Sequence, residues 1–168
     1  MSLCKFSLLL LLLPPAALHA QEFSVTVVAV TDGDTLTVVP SGASPDQPPV
    51  RVRLSAIDCP ERNQPFGLPA RDRVIDLTLG QTVTVVGEST DRYRRLVAWV
   101  VLSDGRNLNH EMVAAGLAWW YRQYARYNRT LEALQSEARD HRRGLWSADD
   151  ATAPWDWRKQ RRRPQPAR

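Results

Sequence analysis

The chain has 168 residues, two cysteines and a formal net charge of +4, the size of one domain large enough to bury its own core. Only Cys59 lies beyond the N-terminal leader-like segment, which excludes an internal disulfide framework and leaves stability to packing. The charge is uneven: residues 21–157 carry 15 Arg against 18 acidic residues, a net of −3, whereas residues 158–168 carry six basic residues and no acid.

In chain order, MSLCKFSLLLLLLPPAALHA has a lysine, an apolar run from Phe6 to Leu13, and prolines and small residues leading to Ala20. That is the pattern of a secretory signal peptide, too short for a permanent membrane anchor, and Cys4 leaves with it. A secreted or periplasmic protein with no membrane span after signal removal is therefore expected. Residues 21–157 follow as one domain. Strands are expected at Phe23–Val30, Thr35–Val39, Val50–Ile57, Thr82–Val86 and Leu96–Leu102, each rich in Val, Ile, Leu or Thr and bounded by turn signals. The first two are joined by TDGD, a tight-hairpin signal, and PSGASPDQPP at 40–49 is a flexible connection. In the third strand Val50, Val52, Leu54 and Ala56 share one face and Arg51, Arg53 and Ser55 the other.

Helices are expected at about Pro69–Leu79, Leu108–Ala115 and Leu131–Arg143, the last two followed by Gly116 and Gly144. Five short strands with about three helices point to an α+β, mainly β domain built on a five-stranded Greek-key barrel of OB type. Sandwiches and mixed sheets fit the same pattern. The segment RKQRRRPQPAR at 158–168 reads as a disordered, solvated tail, or as a polyanion-attracting one.

Oxygen ligands stand out among the polar residues. Asp32 and Asp34 flank the hairpin turn, and Asp58 and Glu61 follow the third strand, whose polar face carries Arg53. Carboxylates and carbonyls suit a hard cation such as calcium. His110 and His141 lie apart from these acids in sequence and are expected at helix surfaces, which argues against zinc and against a Cys–His nucleophile. Cys59 itself, within AIDCPE, could be a nucleophile, a soft-metal ligand or a bystander. A thiolate would need a nearby cation, histidine or helix N-terminus to lower its pKa, whereas its sequence neighbours are Asp58 and Glu61. The segment DRYRR at 91–95 offers guanidinium donors to a phosphate, with Tyr93 beside them to pack on a base or sugar. WWYRQYARYNR at 119–129 could line the same cleft or simply pack.

TDGDT (31–35), RLSAIDCPE (53–61) and DRYRRLVAW (91–99), in this order and spacing, closely resemble the staphylococcal nuclease family. The likeness continues through NLNHEMVAAGLAWW and the helix ending RRGLW, and PWDWR resembles the tails of secreted bacterial members. The resemblance implies an OB-fold barrel and a monomeric, calcium-dependent endonuclease that hydrolyses phosphodiesters of DNA and RNA to 3′-phosphate products. By motif position, it makes Asp34, Asp58 and the carbonyl of Cys59 ligands of one calcium ion. It makes Glu61 the general base, Arg53 and Arg95 the catalytic arginines and Tyr93 a substrate-pocket residue, with Asp32 supporting the turn. Two departures stand beside it: Cys59 replaces a threonine, and RYRR replaces a glycine-containing turn. The alternative is a non-catalytic OB-fold module that binds single-stranded nucleic acid.

Overall fold

Five Val-, Leu- and Thr-rich strands close into a barrel in the computed structural model, which describes residues 22–42, 44 and 46–162. The expected signal peptide and residues 163–168 of the basic segment lie outside the described residues. Strand β1 (Glu22–Asp32) pairs antiparallel with β2 (Thr35–Pro40) across the Asp-Gly turn. Then follow β3 (Val50–Leu54), β4 (Ile57–Asp58), α1 (Gly67–Thr78), β5 (Thr82–Thr90) and β6 (Leu96–Val101). The barrel order is β1-β2-β3-β6-β5, with β3–β6 the single parallel pairing. Two register shifts in β1, between Val27 and Ala29 and between Val30 and Asp32, supply the local bending that lets one long strand pair with both β2 and β5. Val27, Leu36, Val52, Leu54, Val85 and Val100 fill the interior and are essentially inaccessible. The α+β, mainly β OB barrel expected from the sequence is the observed architecture.

The remaining elements are α2 (Leu108–Ala114), β7 (Trp119–Trp120), α3 (Arg122–Ala125), α4 (Arg129–Asp140), a 3₁₀ turn (Gly144–Ser147) and α5 (Pro154–Arg162). Ala70 and Val74 of α1, Met112 and Val113 of α2 and Leu131 of α4 join the same core as the barrel residues, so the helices cap the barrel with their apolar faces.

Three expectations are corrected. The third strand ends at Leu54, not Ile57, because Ala56 turns the chain with φ of 61°. Among the described residues five α-helices form where about three were expected, and the third expected helix starts two residues earlier, where the Asn128 side chain accepts from Leu131 N–H at 3.0 Å. The tail assigned to disorder from residue 158 is helical through Arg162.

The corner after β3 is what aims the polar residues. Ser55 N–H donates to the Ala98 carbonyl at 2.8 Å and Tyr121 N–H to the Ala56 carbonyl at 2.8 Å. Buried Asn109 donates to the Ser55 carbonyl at 2.8 Å and accepts from Val100 N–H at 3.2 Å. These bonds offset the left-handed conformation of Ala56, a cost of about 1–2 kcal/mol for a residue with a Cβ. Beyond the corner, β4 pairs with β7, Ile57 opposite Trp120 and Asp58 opposite Trp119.

The loop from β4 to α1 packs as tightly. A Cβ on Gly67 would lie 1.9 Å from the backbone carbonyl oxygen of Glu61, so no larger residue fits unless the loop carrying Glu61 moves. Gly67→Ala is expected to cost about 1–3 kcal/mol of unfolding free energy, the usual range for overpacking, read by urea denaturation. An unchanged midpoint would show that the loop yields without strain.

Candidate active site

Three strand ends converge at one end of the barrel. The β1–β2 turn delivers Asp34: its N–H donates to Asp32 Oδ1 at 3.1 Å, which holds the turn. Gly33 is essential to that approach, because a Cβ there would sit 2.8 Å from Ala70 Cβ and 2.9 Å from Cys59 Cβ. Strand β3 delivers Arg53, opposite Thr35 in the β2–β3 register. Strand β4 delivers Asp58, whose side chain is only 2% exposed.

Arg53 joins these parts. Its Nη2 lies 3.1 Å from Asp34 Oδ2 and 3.0 Å from Asp58 Oδ1, and its Nη1 donates to the Leu54 carbonyl at 2.7 Å. Burial alone would push the Arg53 pKa down, but the Asp34 and Asp58 charges outweigh it and raise it above the ordinary value. The other interactions of Asp34 are a hydrogen bond from the Thr35 hydroxyl at 3.1 Å and one from Cys59 N–H at 2.9 Å. Burial raises the Asp58 carboxyl above its ordinary value, against the opposing pull of the guanidinium groups. Asp32, beside Asp34, is pushed up to about 7, mainly by burial and then by the Asp34 charge.

Cys59 is inert as a nucleophile. Its thiol is buried and donates to the Gly33 carbonyl at 3.1 Å. Burial, reinforced by the Asp34 charge, pushes its pKa well above the ordinary value, so no thiolate is available. Its burial and its bond to the Gly33 carbonyl argue against the nucleophile reading.

The wall opposite carries the second arginine group. Asp91 accepts from Arg95 N–H at 3.0 Å and Arg95 Nε at 2.8 Å; these bonds outweigh desolvation and hold its carboxyl below the ordinary range. Arg95 thereby lies 5.4 Å from the Tyr93 ring centroid. Tyr93 is 56% exposed, and the Arg92 guanidinium lies over its ring, 4.8 Å from the centroid. Asp34, Arg53, Asp58, Cys59, Glu61, Tyr93 and Arg95 all line one cleft of about 820 Å³. His110 packs edge-on to Trp99 at 5.5 Å instead.

Sequence reasoning missed Arg158. Its Nη2 lies 2.7 Å from Asp58 Oδ2, and its Nη1 lies 2.7 Å from Glu61 Oε1 and 3.3 Å from Asp58 Oδ1. Two neighbouring tryptophans, Trp155 and Trp157, were the available hint that this segment packs. Tyr121 and Tyr124 also line the cleft, whereas Trp120 of the same aromatic run is buried in the core.

The donor set fits a hard divalent cation. Two buried aspartate oxygens already converge on one cationic nitrogen, that of Arg53, and the carbonyl of buried Cys59 accepts no backbone hydrogen bond among the described residues. No group of three or more His, Cys, Asp or Glu is arranged to hold a metal among the described residues. The remaining ligands would therefore be carbonyls and waters, as hard oxygen-seeking cations accept.

The family model described as staphylococcal nuclease homologue matches residues 51–148. An uncharacterized endonuclease of Escherichia coli is 46% identical over 132 residues, covering 79% of this chain and 82% of the relative. A micrococcal nuclease of Shigella flexneri is 38% identical, covering 82% of each chain. A staphylococcal-like nuclease of Arabidopsis thaliana is 37% identical over 67% of this chain and 34% of its own length.

The raised Asp32 pKa has a consequence for stability. Between about pH 4 and 7 the unfolded chain loses this proton while the folded one keeps it, so folding stability falls as pH rises through that window. Asp32→Asn removes the dependence. In chelator, its stability relative to the parent is expected to improve by about 2 kcal/mol from pH 4 to 8, read by urea denaturation at each pH. A difference independent of pH would show that Asp32 ionises normally.

Proposed function

Because the chain belongs to the staphylococcal nuclease family, we propose that it is a calcium-dependent endonuclease hydrolysing phosphodiester bonds of DNA and RNA to 3′-phosphate products. The observation that carries this reading is the convergence of Asp34 and Asp58 on a single cationic nitrogen, with Glu61 and Arg95 lining the same cleft. The composition of residues 1–20 supports export, to the periplasm or beyond the cell, where calcium and free polynucleotides meet the enzyme.

The residues divide the work as follows. Asp34, Asp58 and the Cys59 carbonyl would hold the ion. When bound, calcium supplies polarisation of the phosphate and orientation of water. Glu61 accepts a proton from the attacking water, whose oxygen forms the new bond to phosphorus. The bond from phosphorus to the 5′ oxygen breaks, that oxygen takes up a proton, and the phosphate stays on the 3′ side. Attack adds negative charge to the non-bridging oxygens, and Arg53 and Arg95 donate to them. These donors help most where that charge is greatest, in the transition state. Asp91 holds Arg95 in place before substrate arrives, so little reorganisation is left for the reaction itself. Exposed Tyr93 offers its ring to a base or sugar, which would take the place now held by the Arg92 guanidinium.

The direct test incubates the purified protein with single- and double-stranded DNA and RNA, with calcium or with chelator. Cleavage only in calcium, leaving 3′-phosphate ends, is the expected result; binding without cleavage would establish the binding-module alternative. Glu61→Gln and Arg95→Ala are each expected to lower turnover by about 10²–10³-fold with an unchanged circular dichroism spectrum. Near-parental turnover in either folded variant would remove that residue from the mechanism.

A further inference from the structure

Helix α5 lies beyond the stretch matched by the family model, which ends at residue 148, yet it places a guanidinium on the acids at the heart of the cleft. The helix is pinned there. Trp155 stacks on Tyr121 with rings 5.1 Å apart and 8° from parallel, and meets Trp119 edge-on at 5.6 Å. In the segment leading into it, the Thr152 carbonyl accepts from Gln64 Nε2 at 2.6 Å, three residues after Glu61. The contact of Arg158 with Asp58 and Glu61 is therefore built by packing on both sides and does not depend on one exposed ion pair.

That contact opposes the roles assigned to its partners. Both oxygens of Asp58 are engaged, Oδ1 by Arg53 and Arg158 and Oδ2 by Arg158, so a cation that ligates Asp58 must share its oxygens with the Arg158 guanidinium or displace it. Two positive charges drawn to one carboxylate also repel each other. Glu61 is held at 2.7 Å by the same guanidinium, so that oxygen is not free for another donor while the contact lasts. Arg158 cannot accept a proton in its place, because guanidinium stays protonated.

We infer that Arg158 is a built-in competitor for the divalent-cation site: it and the cation compete for Asp58, and cation binding draws the guanidinium away from Asp58 and Glu61. The inference rests on the calcium reading above and adds to it a linkage between the ion and α5. Two ligands that exclude each other lower each other's affinity by the same factor, commonly about 5–150-fold for linked sites. The Arg158 side chain is 36% exposed, so it has solvent to move into when displaced.

Calorimetric titration of the full chain with Ca²⁺ tests this without reference to turnover. Arg158→Gln is expected to bind Ca²⁺ at least about fivefold more tightly than the parent. Arg162→Gln is the control for charge alone: Arg162 lines the same cleft but makes no ion pair with Asp58 or Glu61 among the described residues. Its affinity is expected to stay within about twofold of the parent, as for a screened, exposed charge. Equal affinities of parent and Arg158→Gln, or equal gains in both variants, overturn the inference while leaving the calcium reading standing. Absence of Ca²⁺ binding in all three proteins overturns both. Hydrogen exchange on the unaltered chain gives a second measurement, independent of whether a variant folds: saturating Ca²⁺ is expected to speed exchange of the α5 amides. Unchanged or slower exchange there overturns the inference.

Discussion

The ion triad of Asp34, Arg53 and Asp58 is the constraint on which the rest of the site depends. Three charges with side chains 9%, 14% and 2% exposed would be prohibitive to bury singly, since an unpaired buried ion costs several kcal/mol even after relaxation. Together they are tolerable only at the separations found. The hairpin turn, the end of β3 and the end of β4 must therefore meet within about a hydrogen-bond length. That demand explains features that look incidental in isolation: a glycine at position 33, a left-handed alanine at 56, and an asparagine at 109 that ties the Ser55 carbonyl at the corner to the backbone of β6.

The same triad explains why the fold was legible in some places and hidden in others. The strands were readable because valine, leucine and threonine runs ended at Asp-Gly or at proline, and because the barrel interior takes alternate residues. The end of β3 was not readable. Ser55–Ala56 contains no glycine or proline, and its turn is held by Asn109, a partner 54 residues away. The first residue of α4 was missed because the apolar period begins only at Leu131, whereas the helix starts behind the Asn128 cap. The two-residue strand Trp119–Trp120 has too few residues for any periodicity, and its partner β4 is equally short.

For the site, each motif carried its residues on adjacent positions, so Asp34, Arg53, Asp58, Glu61 and Arg95 could be picked out, and the barrel accounts for their meeting. Arg158 reaches Glu61 across 97 residues of chain, and composition argued against it. A run of arginines looks like a solvated tail, yet arginine, lysine and glutamine are also good helix formers. What decided between the two was packing. Trp155 had Tyr121 and Trp119 to lie against, and a helix carrying that anchor and an arginine three positions later puts both on one face.

Charge in the cleft is thus arranged by pairing. Asp34 and Asp58 share Arg53, Asp58 and Glu61 share Arg158, and Asp91 holds Arg95. Such pairing lets the protein carry a dense group of buried acids and bases without the self-repulsion that would open the barrel end. It also dictates how ligands enter. A dication arriving at the aspartates and a phosphodiester arriving at the arginines each exchange an existing partner for a new one, and each exchange frees a group for the other ligand. Arginine released from a carboxylate can meet a phosphate, and a carboxylate released from arginine can meet a metal or a proton. Under the proposed function, cation and polyanion binding would support each other by electrostatics, since neither would need a charge created or left unpaired in the low-dielectric interior.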